Sequence, residues 1–202
     1  MQAFDGDLYL LTRDVTDGNR QALWKYDVER EAATELATFG QARNISFDEF
    51  YLGKDNLYFN ATDEETGRLS LYVTDGTEVT RLYNDRYYGR VVGHVGEQVF
   101  FRGVTGDDLN GRTGGELWGT NGTLAGTRLV KDINPGFGPA KITDGVQLGD
   151  FLYFGAHDGV SGEELWRSDG TAEGTQRVID LDPGARDTDP KPLGVAGDRL
   201  IS

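Results

Sequence analysis

Short aromatic-aliphatic runs recur along the chain at a nearly constant spacing: Leu8-Tyr9-Leu10, Leu57-Tyr58-Phe59, Val99-Phe100-Phe101, Leu152-Tyr153-Phe154 and a last, incomplete Leu200-Ile201. Between them lies a second series, in which Leu precedes an aromatic at Trp24, Tyr72, Trp118 and Trp166. Its steps are 48, 46 and 48 residues, and the first series covers 192 residues from Tyr9 to Ile201, four periods of 48. Two registers that stay in phase over the full length define an internal repeat. Runs such as Phe151-Leu152-Tyr153-Phe154 are apolar at successive positions, as in strands covered on both faces. No stretch sustains a 3.6-residue apolar period, so helices are not expected.

The fourth period is the clearest and divides into strand-sized pieces at 142–148, 151–157, 163–168 and 175–181. Gly149-Asp150 and the segments 158–162 and 169–174 separate them. Gly and Asp supply the turn conformations that branched residues resist, and the pieces between are rich in β-formers. The Ala-rich stretch 30–39 aligns with the fourth strand of its period and is expected to be a strand too. Four short antiparallel strands per period, with a recurring Trp, predict an all-β fold: a β-propeller of four-stranded blades. A solenoid is the alternative. The expected units are 1–45, 46–88, 89–138 and 139–188, with a partial fifth at 189–202, all in one domain spanning 1–202. Such an array closes as a small ring if 193–196 completes the first unit. Otherwise it belongs to a larger propeller or associates with another copy, because an open terminal blade leaves an apolar face exposed.

Charge narrows the partners. Twenty basic against 34 acidic residues give a net charge of -14. A phosphate backbone needs a basic footprint, so nucleic acid is not an expected partner. Anionic membrane surfaces are disfavoured for the same reason, and no apolar run of 18 residues offers a transmembrane helix. The opening Met1-Gln2-Ala3-Phe4-Asp5 has neither the basic nor the apolar stretch of a signal peptide. The absence of Cys removes disulfides, thiolate metal sites and cysteine nucleophiles. His94 and His157 are the two histidines and form no zinc motif.

One repeat segment carries a resemblance. Glu164-Leu165-Trp166-Arg167-Ser168-Asp169-Gly170-Thr171, followed by Gly174-Thr175, resembles the Glu-Leu-Trp-x-x-Asp-Gly-Thr (ELWxxDGT) repeat of large bacterial secreted and surface proteins. The third unit follows it with Asn121 in place of the Asp. The second reads Ser70-Leu71-Tyr72 before Asp75-Gly76-Thr77, and the first keeps little beyond Leu23-Trp24. The resemblance implies a propeller-type repeat domain and export to the surface or medium. It implies no catalytic residues.

Chemistry-bearing candidates are few. Asp75, Asn121 and Asp169 sit in turns, where their side chains cap backbone N–H groups, and Trp24, Tyr72, Trp118 and Trp166 are expected to fill inter-blade wedges. The Asp-rich hairpin containing Asp107, Asp108 and Asn110 is the best candidate for Ca²⁺, which takes six to eight oxygen ligands. Tyr87, Tyr88 and Arg90 combine planar apolar rings with a fixed donor fork, a set suited to carbohydrate or peptide. The expectation is a non-catalytic binding or scaffold module, acidic and extracellular, that engages protein or glycan. A glycoside hydrolase or lyase on a propeller scaffold is the alternative from another class, and a purely structural, Ca²⁺-stabilised repeat is the third.

Overall fold

In the computed structural model the chain forms two compact units, Met1–Tyr87 and Tyr88–Ser202. The structure describes residues 1–41, 50–82, 87–104, 114–136, 138–179, 194–196 and 199–201, with backbone alone for 87–89 and the last two segments. Among the described residues every regular element is a strand, and no helix occurs.

The first unit holds two sheets. Strands β1 (Gln2–Phe4), β2 (Asp7–Asp14), β3 (Arg20–Asp27) and β4 (Ala32–Gln41) pair in sequence order as one antiparallel sheet. A second sheet repeats the plan with β5 (Tyr51–Leu52), β6 (Leu57–Thr62), β7 (Leu69–Thr74) and β8 (Val79–Arg81). The second unit has a third sheet of β9 (Tyr87–Val95), β10 (Gln98–Gly103), β11 (Glu116–Thr120) and β12 (Arg128–Lys131). It has a fourth of β13 (Val146–Leu148), β14 (Phe151–His157), β15 (Glu163–Ser168) and β16 (Gln176–Ile179). A last hairpin joins β17 (Gly194–Ala196) to β18 (Arg199–Ile201). The all-β expectation and the four-stranded antiparallel units therefore hold.

One cross-strand pairing ties the two sequence registers together. Trp24 lies opposite Leu10, Tyr72 opposite Phe59, Trp118 opposite Phe101 and Trp166 opposite Phe154. Each third-strand aromatic thus meets the third residue of the preceding apolar run. In three sheets the pairing with the fourth strand shifts register at the same step, Leu23/Trp24, Leu117/Trp118 and Leu165/Trp166. Such a bulge sharpens the local twist where the large ring sits.

Alternation along the strands gives each sheet two apolar faces, and neighbouring sheets bury them against each other. In the first unit Tyr9, Leu23 and Phe39 of the first sheet pack on Leu57, Phe59, Ala61 and Tyr72 of the second. Phe59 and Tyr72 stack at 5.7 Å, and Phe39 meets Tyr72 edge-on at 4.9 Å. In the second unit Phe100, Leu117 and Val130 pack on Leu152, Phe154 and Trp166. Tyr72, Trp118 and Trp166 are buried, whereas Trp24 is half-buried. Leu23 occupies the face packed on the second sheet, so Trp24 projects from the opposite one, where its Nε1 donates to Thr12 Oγ1 at 3.1 Å.

Three strand limits differ from the pattern. The piece expected at 30–39 is the strand Ala32–Gln41, because Arg30 N–H is spent on Asp27 Oδ1 in the turn before it. The piece expected at 142–148 is a strand only from Val146, because Lys141 turns into the left-handed region at φ 47°. Thr143 N still donates to Gly155 O, but Gly145 N crosses to Val92 O of the third sheet. The strand expected from 175 starts at Gln176, since Thr175 is spent on the turn before it. The idea that 193–196 completes the first sheet is also corrected. β17 pairs with β18 and lies beside β13, while the first sheet carries its own β1.

These packing differences have a measurable consequence. Trp166→Ala is expected to destabilise by roughly 3–5 kcal/mol and Trp24→Ala by about half as much, read from urea unfolding midpoints. Equal losses at both positions contradict the packing described.

Candidate functional site

The repeat motif is built into its own turns. At the ends of β7, β11 and β15, Thr74, Thr120 and Ser168 accept through Oγ the N–H of Gly76, Gly122 and Gly170, at 3.0, 3.1 and 3.0 Å. These glycines have φ of 92°, 86° and 90°, which an L side chain resists. Asp75, Asn121 and Asp169 accept through Oδ1 both the N–H and the hydroxyl of Thr77, Thr123 and Thr171, at 2.7–3.2 Å. Hydrogen bonds from Glu78 N–H and Thr77 pull the Asp75 carboxyl down to about 2. Thr127 and Thr175 close the turns by donating to Thr123 O and Thr171 O. A Cβ at Gly126 or Gly174 would collide with the Asn121 or Asp169 side chain.

Cations then clamp the Asp75 and Asp169 turns to the sheet before each. Lys25 Nζ reaches Gly76 O at 3.5 Å, and Lys131 Nζ donates to Ala172 O at 3.1 Å and Thr175 O at 2.7 Å. A buried carboxylate does similar work. Glu116 is fully buried, and its Oε2 accepts the N–H groups of Ile133 and Asn134 at 2.7 and 3.1 Å, fixing the Asp-Ile-Asn-Pro-Gly corner. Burial pushes its carboxyl up to about 7, aided by the Asp132 charge and opposed by those amide bonds. Sequence reasoning missed this residue. Its signal was the Glu two places before Trp118 and Trp166, paired each time with a Pro-Gly corner downstream.

Two clefts mark the first unit, one beside β1 lined by Phe4, Leu52, Lys54 and Asp75, and a more polar one where the β2–β3 and β6–β7 hairpins approach. The more polar cleft, of about 300 Å³, is lined by Asp17, Arg20, Phe39, Gln41, Asp63 and Glu64. Arg20 pairs with Glu64 at 2.8 Å across it. Asp63 accepts Thr66 N–H and hydroxyl at 2.9 and 2.7 Å, the Tyr72 hydroxyl at 3.3 Å, and the Arg81 guanidinium. Burial raises the Asp63 carboxyl, but these donors outweigh it and hold the group below its ordinary value. Beside the cleft the fully buried Gln21 accepts Thr62 N–H at 2.9 Å through Oε1. Gln21 Nε2 and Thr62 Oγ1 have no hydrogen-bond partner among the described residues.

The residues singled out from sequence are scattered. Arg90 stands on β9 and donates to Asp144 at 2.8 Å, a surface ion pair; the side chains of Tyr87 and Tyr88 lie outside the described residues. Asp107, Asp108 and Asn110 also lie outside them. The opening acids of the other second-to-third-strand hairpins cap their own loops. Asp14 Oδ1 accepts Thr16 N–H at 2.8 Å, and Asp158 Oδ1 accepts Val160 and Ser161 N–H at 2.9 and 2.7 Å. Among the described residues no three His, Cys, Asp or Glu are grouped to hold a metal ion.

The fold and surface define a class only: a chain of repeated four-stranded antiparallel sheets with turn-capped motifs and a polar cleft in its first unit. No family model matches the chain, and no curated protein matches it.

The Glu116 carboxyl gives stability a pH dependence of definite sign. Its proton is held more tightly in the folded chain than at the ordinary value of 4.5, so the ionised form opposes folding. That opposition, roughly 3 kcal/mol for a shift of this size, is full above about pH 7 and fades as pH falls towards 4.5. Glu116→Gln keeps an oxygen for both amides and removes the charge. The variant is expected to be more stable than the parent at pH 8 and to lose that advantage by pH 5 in urea titrations.

Proposed function

We propose that this chain is a non-catalytic binding or scaffold module, its sheets serving as successive blades of a propeller-type array, exported to the cell surface or medium, with protein or carbohydrate as its ligand. The observation that carries the reading is where the polar groups are spent. The motif hydroxyls and the Asp or Asn oxygens of the second, third and fourth sheets bond within their own turns, which accounts for their repetition as structure. The hairpin ends are where the units differ in chemistry, and the cleft between two of them offers a donor fork, an amide and carboxylates.

The same geometry weighs against hydrolysis. Acid catalysis on a glycoside needs a carboxyl of raised pKa facing a second carboxylate across the substrate. In the cleft Asp63 is held low and Glu64 is paired with Arg20. Glu116, the raised carboxyl among the described residues, is sealed inside the second unit.

A glycan and peptide array probed with the whole chain tests the module directly. Binding that falls at least tenfold on Arg20→Ala, with an unchanged unfolding midpoint, is the expected outcome. Turnover of a polysaccharide that is lost on Asp63→Asn or Glu64→Gln overturns the reading. For the Ca²⁺ proposal at Asp107, Asp108 and Asn110, thermal midpoints in calcium and in chelator are compared. A higher midpoint in calcium that vanishes on Asp108→Asn supports a site there, and equal midpoints end it.

A further inference from the structure

The first sheet departs from the second and third at its outer edge. Where the Asp-Gly-Thr turn or its Asn121 form is present, a short strand follows: β8 has three residues and β12 four. Each of these short edges also carries a cation, at Arg81 or at Arg128 and Lys131. Short length and positive charge are two of the devices by which sheets discourage a further strand from adding. In the first sheet the motif is missing. A simple turn, closed by Arg30 N–H donating to Asp27 Oδ1 at 2.9 Å, lets β4 run for ten residues.

That strand has neither device. Ala32-Ala33-Thr34-Glu35-Leu36-Ala37-Thr38-Phe39-Gly40-Gln41 contains no Lys, Arg or Pro. It stands last in the order β1-β2-β3-β4, so β3 takes one side of its backbone and, among the described residues, the other is a sheet edge. Its far end is anchored by Phe39, buried in the core with the second sheet, while Ala32, Ala33, Thr34 and Glu35 are exposed. The small side chains of the exposed half leave the backbone accessible. An edge of this kind adds an extended segment through main-chain hydrogen bonds, with alternate side chains supplying selectivity.

Charge selects the segment. Glu29, Glu31 and Glu35 are exposed along the same stretch, and Arg30, the cation between them, is paired with Asp27 at 3.5 Å. A second copy would bring the same acids and another net charge of -14 to the edge. We propose that β4 is a docking edge for an extended, lysine- or arginine-bearing peptide segment of a partner protein, added as a fifth strand to the first sheet. The proposal rests on the binding-module reading and names the partner class.

The test uses the whole chain and three immobilised decapeptides. One alternates Val with Lys, the second alternates Val with Glu, and the third is the Val–Lys peptide with a central Pro. Only the first is expected to bind, with slowed amide hydrogen exchange at 32–38. Glu35→Lys, at an exposed site, should weaken binding at least tenfold, and rising salt should weaken it progressively. Binding of the Val–Lys peptide with protection elsewhere, equal binding of all three peptides, or an unchanged affinity in Glu35→Lys overturns the edge as the site. Concentration-dependent dimerisation with β4 protected overturns the choice of partner in favour of a second copy. Glycan binding on the array with no response to any of the three peptides overturns this inference and leaves the module standing, whereas silence in both assays removes both.

Discussion

A four-stranded sheet of this size cannot bury its own faces, and the rest of the structure follows from that constraint. Each sheet covers one face with its neighbour, so the contact between sheets carries the stability that a larger domain would draw from a single core. The decisive contact presses a third-strand aromatic and its cross-strand partner onto the sheet before them, as Tyr72 and Phe59 meet Phe39, and as Trp166 and Phe154 join the cluster of Phe100 and Leu117. A large ring fills the gap left by two twisted sheets diverging from each other. The bulge beside three of the four aromatics adds the local twist needed to aim it.

The polar residues of the motif serve that contact indirectly. A tight third-to-fourth-strand turn must present several backbone amides at a sheet edge, and unpaired amides there are costly when buried. Asp75, Asn121 and Asp169 satisfy them with short side chains, and the glycines take the backbone angles that make the turn close. Lys25 and Lys131 then bind the carbonyl side of those turns from the preceding sheet. Repetition of the motif is thus a packing requirement met several times. Function has to be sought where repetition fails.

Two such failures fall in the first unit. Loss of the turn motif after Trp24 frees β4 to extend, and the hairpins beside it enclose the cleft of Arg20, Asp63 and Glu64. Both features rest on the same anchor, since Phe39 ends the free stretch of β4 and forms part of the cleft wall. Divergence from the repeat and surface chemistry coincide there.

The period, the strand pieces and the matching strand positions of Trp24, Tyr72, Trp118 and Trp166 were legible in the sequence, because alternation and turn residues act over a few positions and repeat, whereas the expectation that all four are buried fails at Trp24. The strand nature of 30–39 was legible for the same reason, by alignment, although its Ala and Glu favour helix. What the sequence could not show was which atoms meet across sheets. Glu116 looks like any surface acid in a chain with 34 of them; only the fold buries it and sets Ile133 and Asn134 on one of its oxygens. Asp63 and Arg81 are 18 positions apart and come together across one sheet, and Arg20 meets Glu64 from another. Nor does a local pattern distinguish Trp24 from Trp166, since burial depends on whether a neighbouring sheet covers that face. Short-range preference decides what each segment becomes, and long-range contact decides which of its side chains are left to act.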